Sequence, residues 1–327
     1  MYGACRSLIY RDALDNFRKN SIFSKASTSL FKVANFGISY QGSKTRIIPK
    51  IHWVFPAAEN FYDIFGGGFS VTHYAMLQKI KKYENFYFNE IEKLTCDLIQ
   101  DAIAGKYNYN VFKPKWVDRE TFFKHKDICG YTKLVWSFGN HPRTYIYGKD
   151  IEAYKKSIHN AVVFNEFDSN ACRLLDRSKF QDDLSIQGRR LFFIRIIKKK
   201  RGSQVTAGER VLENLERLER LQRLEGITAP TFTSLSYDQV KIKKNSVIYC
   251  DPPYQKTIGY LRDFDHNAFW QWVRDQSEPV FVSEYSAPAD IKTVLALRHK
   301  KNMSTCGQST DSVEKLFGNA AAIRSLL

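Results

Sequence analysis

The run Asp251-Pro252-Pro253-Tyr254 follows directly on the apolar stretch Ser246-Val-Ile-Tyr-Cys250. A carboxylate at the C-terminal end of such a strand lies where open α/β sheets bind their ligands. The two prolines fix φ and remove N–H donors, and the Pro252 carbonyl is left free to accept. Asp251 and that carbonyl make two adjacent acceptors, with the Tyr254 ring beside them. This combination suits a planar base bearing an exocyclic amino group, which brings two N–H donors and a π-face. A proline-stiffened turn with a capping aspartate is the plainer alternative, and four residues alone leave both open.

Three further segments stand upstream: Tyr40-Gln41-Gly42-Ser43-Lys44, then Phe61-Tyr62-Asp63-Ile64-Phe65-Gly66-Gly67-Gly68, then Phe88-Asn89-Glu90. With Asp-Pro-Pro-Tyr they resemble, in order and in type, the Dam-type DNA adenine methyltransferases, which use S-adenosyl-L-methionine. Phage-type members also look similar at Trp136-Ser-Phe-Gly-Asn140, at Val282-Ser-Glu-Tyr-Ser-Ala-Pro288 and at Glu314-Lys-Leu-Phe317. The resemblance runs from about residue 35 to the C-terminus.

The resemblance implies a role for each matching residue. Asp63 is placed for the methionine ammonium of the cofactor, Glu90 for its ribose hydroxyls and Asp238 for its adenine amino group. Tyr40, Lys44, Phe65, Gly66 and Gly68 line the same pocket, and Asp251 borders it. A glycine-rich turn after a first strand lets backbone approach a ligand closely. It lacks the Lys-Ser/Thr pair of a phosphate-binding loop, so triphosphate cleavage is not supported. Asp251, Pro252, Pro253 and Tyr254 are the catalytic group. Holding both protons of an aniline-like amine favours a tetrahedral nitrogen and exposes its lone pair, so the reaction expected is direct displacement without a covalent enzyme intermediate. Cys250 is expected in the core, because it ends a buried strand and precedes the aspartate.

The elements that would position these residues follow an α/β rhythm. Strands are expected at Asn60–Phe65, Phe86–Phe88, Val247–Cys250 and Val280–Val282, and helices at Phe69–Lys82, Ile91–Ala104, Ala268–Asp275 and Ala289–Leu297. The fold class expected is a Rossmann-like methyltransferase sheet carrying an inserted, mainly helical, basic target-recognition domain. The divisions expected are 1–34 as an N-terminal extension, 35–104 as the first catalytic part, 105–225 as the insert and 226–327 as the second catalytic part. Glu209–Leu224 reads as a helix with a leucine stripe, expected to pack on its own domain.

The chain has 327 residues and a net charge of +16. Residues 35–104 carry no net charge and residues 201–327 carry +2, whereas residues 105–200 carry +10. A polyanion would be gripped in that middle block through phosphate contacts. Asn140 and Arg143 are candidate DNA contacts, and Lys198, Lys199, Lys200 and Arg201 a candidate phosphate clamp. His141 departs from the amide or polar residue that the resemblance leads one to expect. Six scattered cysteines without a C-x-x-C pair, and histidines without ligand spacing, point away from disulfides and metal and towards the cytoplasm. Double-stranded DNA is the expected partner, with no membrane and no metal, for a monomer or weak dimer in a bacterial or phage-infected cell. Restriction–modification, replication timing and phage self-protection are all compatible roles. The nearest rival methylates the exocyclic amine of cytosine, which Asp rather than Ser before Pro-Pro disfavours. RNA and protein-glutamine methylation are weaker rivals. A non-catalytic DNA-binding protein keeping the fold would have lost Asp63, Glu90 or the Asp-Pro-Pro-Tyr residues, and all are present.

Overall fold

The computed structural model describes residues 36–138, 143–201, 210–224, 227–254, 264–300 and 311–327. All belong to one compact unit, Phe36–Leu327. The expected sheet is there. Strands β1 (Asn60–Asp63), β2 (Asn85–Asn89), β3 (Thr231–Thr233), β4 (Ser246–Cys250), β5 (Val280–Glu284), β6 (Lys292–Lys300) and β7 (Asp311–Gly318) form seven strands in the order β3-β2-β1-β4-β5-β7-β6. The first five run parallel, and β7 is antiparallel to both β5 and β6. The order reverses between β1 and β4, and that reversal makes a crevice at the C-terminal ends of the parallel strands. β1, β4 and β5 are buried along their whole length, as strands covered on both faces must be.

Helix α1 (Ile48–Val54) precedes the sheet, α2 (Ser70–Met76) follows β1, and α3 (Lys93–Ile103) follows β2. Between α3 and β3 lies a helical block: α4 (Arg119–His125), α5 (Gly130–Val135), α6 (Glu152–Phe164), α7 (Ser169–Leu175), α8 (Ile186–Arg201) and α9 (Arg210–Leu221). Asp118 and Asp168 start α4 and α7 by accepting the N–H of Thr121 and of Ala171, and Asn165 ends α6 with φ of 60°. The leucine stripe of α9 is buried at Leu212, Leu215, Leu218 and Leu221, against α3 and α5 of the same chain. Helices α10 (His266–Asp275) and α11 (Ala320–Ser325) complete the fold.

The helix expected over Phe69–Lys82 stops at Met76, and one expected element is of the wrong type. The helix expected at Ala289–Leu297 is instead the strand β6, paired with β7. The pairing shifts register between Thr293 and Leu295. An extra residue at such a bulge breaks the two-residue alternation, so the apolar positions 291, 294, 295 and 297 imitate the spacing of a helix face.

Candidate active site

Four acidic residues come to the crevice by different routes. Asp63 ends β1, Glu90 follows β2, Asp251 follows β4, and Glu314 arrives on β7. Because β7 runs against the other strands, its early residues reach the edge where β1 and β4 end. Glu314 lies one step past the Glu284–Lys315 pair at the end of β5.

Lys44 completes the cluster from the segment before α1. That segment is pinned over the glycine-rich turn: the Ile38 N–H donates to the Gly68 carbonyl at 2.9 Å, and the Gly37 N–H to His73 Nδ1 at 2.9 Å. Burial lowers the His73 pKa to about 4, which keeps the ring neutral and Nδ1 able to accept. The Lys44 ammonium then sits 2.8 Å from Asp251 Oδ2 and 3.3 Å from Glu314 Oε1. It donates to the Tyr254 hydroxyl at 2.6 Å and to the Gly42 carbonyl at 3.2 Å, and lies 4.9 Å from the centre of the Tyr254 ring. The Tyr254 hydroxyl in turn donates to Glu314 Oε1 at 3.0 Å.

The electrostatics follow from this enclosure. Burial alone would lower the Lys44 pKa, but the charges of Asp251 and Glu314 outweigh it and raise it. Asp251 is pushed up to about 6, by burial first and by Glu314 as well, against the pull of Lys44. Asp63 is pushed up to about 7, chiefly by burial. Its Oδ2 accepts from the Thr72 hydroxyl at 2.8 Å, whereas its Oδ1 is buried with no hydrogen-bond partner among the described residues. A buried acceptor left unsatisfied is costly, and an ammonium donor is the group that would best satisfy it. Glu90 is buried and accepts the N–H of Gly67 at 2.9 Å and of Glu92 at 3.0 Å, one on each oxygen. A carboxylate has about four acceptor positions, so about two remain for hydroxyls. These orphaned and half-used acceptors fit the methionine and ribose ends of the expected cofactor.

The remaining expected residues fall as follows. A Cβ at Gly66 would come within 2.0 Å of the Phe88 ring, and one at Gly68 within 2.4 Å of Tyr40 Cβ. Those two glycines are therefore required by the chain's own side chains. Phe65 packs among Tyr237, Phe264 and Phe269. This contact sets the turn Tyr237–Gln239 beside the Phe65 loop, with Asp238 exposed on it. Cys250 is fully buried and its thiol is pushed well up by burial, as expected of a core residue. Arg143 is exposed; Asn140 and His141 lie outside the described residues, as do the side chains of Lys198, Lys199, Lys200 and Arg201 at the end of α8. A cleft of about 470 Å³ opens elsewhere, in the helical block, lined in part by Arg119, Phe123, Phe138, Lys149, Lys155 and Arg210. It has no residue in common with the strand edge, where the orphaned carboxylate and the paired charges lie.

Glu314 joins this cluster without a role expected from the sequence, although it lies in one of the segments that carry the resemblance. The signal was a lone acid in an apolar run, and it has meaning only once β6 and β7 are recognised as paired strands. Among the described residues no group of three or more His, Cys, Asp or Glu could hold a metal ion, and no helix is long and apolar enough to cross a membrane.

Comparison with curated proteins gives no match. Among solved structures, an rRNA methyltransferase, AviRa from Streptomyces viridochromogenes, is similar at 11% identity and a TM-score of 0.35, covering 93% of this chain and 96% of its own. That likeness is too loose to carry any argument. The family model of D12 class N6 adenine-specific DNA methyltransferases matches residues 40–276, which span the glycine-rich turn and Asp-Pro-Pro-Tyr. The chemistry is methylation of adenine N6 in DNA, and the chain belongs to the D12 class N6 adenine-specific DNA methyltransferases.

Proposed function

We propose that the adenine is turned out of a short double-stranded site into the crevice between β1 and β4. There Asp251 and the Pro252 carbonyl take its two N6 protons, with Tyr254 against its face and Pro253 stiffening the turn. The supporting observation is the Lys44 ammonium: an N–H donor beside a ring already sits 2.8 Å from Asp251 and 4.9 Å from the centre of the Tyr254 ring. The edge is thus built to receive an amino-type donor with an aromatic partner.

S-adenosyl-L-methionine supplies, when bound, a methyl on a sulfonium that leaves as a neutral thioether. The protein's part is orientation and electrostatics. Asp63 holds the ammonium end through its orphaned Oδ1, Glu90 the ribose through its remaining lone pairs, and Asp238 the cofactor's adenine. Tyr40, Lys44, Phe65, Gly66 and Gly68 frame the pocket. At the target, two accepted N–H bonds draw the nitrogen towards a tetrahedral form whose lone pair forms the new N–C bond. Asp251, with its pKa raised to about 6, is ionised at neutral pH and basic enough to receive the proton that the methylated nitrogen sheds.

The helical block is the DNA grip in this reading. Arg143 and Asn140 read base edges, Lys198, Lys199, Lys200 and Arg201 hold phosphates, and the cleft at Arg119, Lys149 and Arg210 supports a polyanion on that side. We place the enzyme in the cytoplasm of a bacterial or phage-infected cell, as a monomer or weak dimer that marks DNA for restriction–modification or self-protection.

Calorimetry joined to a transfer assay tests this. Glu90→Ala, Asp238→Ala and Asp63→Ala should each weaken cofactor binding by about 1–3 kcal/mol. Asp251→Ala should abolish transfer and leave cofactor affinity mostly intact. Unchanged affinity in all three cofactor variants would move the pocket elsewhere.

A further inference from the structure

We infer that Glu314 is a positioning residue for methyl transfer: it receives the Lys44 ammonium when the target amine takes Asp251, and it fixes the direction of the Tyr254 hydroxyl. The inference rests on the reading of Asp251 as the acceptor for the amine.

The argument begins with a count of donors and acceptors. Lys44 Nζ has three N–H bonds and four acceptors within reach: Asp251 Oδ2, Glu314 Oε1, the Tyr254 hydroxyl and the Gly42 carbonyl. The closer carboxylate is Asp251, the group that the target amine needs. Lys44 and the amine are therefore competitors for one carboxylate. Lys44 cannot escape to water, since its side chain is only 6% exposed. A buried ammonium deprived of its counter-ion is strongly disfavoured, so displacement from Asp251 requires another carboxylate close by. Glu314, with its own side chain 8% exposed, provides one at 3.3 Å from the same nitrogen. The ammonium can exchange partners through a side-chain shift on the order of an ångström, without movement of the strands.

Tyr254 links the two halves of this exchange. Its hydroxyl donates to Glu314 and accepts from Lys44. The same Glu314 oxygen thus anchors the ring on which the base is stacked and holds the competing cation. A purely structural acid joining β7 to the loop after β4 would need neither the proximity to Lys44 nor the contact with a site tyrosine.

The groups that face Asp251 and Glu314 are Lys44 from the segment before α1, Tyr254 from the loop, Tyr249 and Cys250 from β4, and Asp63 from β1. Replacing the negative charge of Glu314 leaves Lys44 with Asp251 alone and removes a like charge from Asp251. The acid limb of the transfer rate should then move to lower pH, because a carboxylate freed of a like charge and tied to a cation ionises more readily.

The test is single-turnover methylation of duplex DNA against pH, alongside cofactor affinity and melting temperature, for wild type, Glu314→Gln and Glu314→Asp. The expected result for Glu314→Gln is a transfer rate about 10- to 100-fold lower, cofactor affinity within about twofold of wild type, and an acid limb displaced downwards. Glu314→Asp keeps the charge and should keep the acid limb near pH 6 with most of the rate. If Glu314→Gln does not fold, Glu314→Asp decides, and a limb displaced from the wild-type position would then refute the exchange. An unchanged rate and limb in a folded Glu314→Gln would overturn the inference, as would a parallel fall of rate, cofactor affinity and melting temperature, which marks a structural role. A wild type with no adenine methylation at all would instead remove the reading beneath it.

Discussion

At the strand edge, Lys44, Asp63, Glu90 and Glu314 are buried and Asp251 nearly so, each hydrogen-bonded or ion-paired within a few ångströms. In the helical block, Lys113, Lys115, Lys124, Arg143, Lys149 and Lys156 stand exposed on the surface. The same classes of side chain are present in both places, and the solvent decides what they can do. Enclosed charges shift one another's pKa and have to exchange partners when a ligand enters. Solvated charges act together at range, through counterion release and steering, and individually contribute little. The contrast teaches that the edge is where single substitutions should change chemistry, and the block where phosphate grip should follow summed charge and a single substitution should matter only at a base-reading residue.

The sharpest way to break the contrast is at Asp251. Asp251→Asn replaces an accepting oxygen by a donor and should lower the transfer rate by about 10³-fold or more, on the scale of lost transition-state contacts. In wild type, the transfer rate should fall as pH drops below about 6, because protonation removes the acceptor. A rate that is level down to pH 5 would mean that Asp251 is not the group titrating.

Asp63 gives the next largest effect, on stability. Its folded pKa of about 7 lies above the unfolded value of about 3.9, so its contribution is fully present below about pH 4 and is lost as pH rises through 7. Asp63→Asn should therefore be more stable than wild type at pH 8, by up to about 4 kcal/mol, with no gain at pH 4. Denaturant titrations at the two pH values check this. The same variant should bind cofactor more weakly, which is the expected cost of a site held under strain.

In the block the expected effects are smaller and differently shaped. Neutralising Lys198, Lys199, Lys200 and Arg201 together should weaken target and random DNA about equally and reduce the salt slope by up to about 3–4, with melting temperature unchanged. An unchanged slope would place the grip among the other cations of the block. Arg143→Ala should relax discrimination between target and near-target sites by about 1–3 kcal/mol, measured by competition binding. Loss of affinity without loss of discrimination would make Arg143 a phosphate contact.

How much of this could be read from residues alone differs along the chain. Parallel strands β1, β2 and β4 are short apolar runs ending in an acid, so both their existence and the place of Asp63, Glu90 and Asp251 were legible. β6 was not, since its bulge disguises the alternation, and with β6 misassigned nothing placed Glu314 at the edge. The glycine-rich turn was legible as a close approach, but its partners were not: Gly66 and Gly68 yield to Phe88 and Tyr40, contacts that no local pattern carries. In the block α9 was legible from its leucine stripe, whereas α4 and α7 resisted reading because they are only two turns long and are started by the side-chain caps of Asp118 and Asp168.

The most direct measurement of the central claim is mass spectrometry of nucleosides from duplex DNA incubated with the purified protein and methyl-labelled S-adenosyl-L-methionine, for wild type and Asp251→Ala. The account predicts label in N6-methyladenine with wild type and none with Asp251→Ala, although that variant still binds the cofactor. Label on the amino group of cytosine, or N6-methyladenine formed equally well by Asp251→Ala, would contradict it.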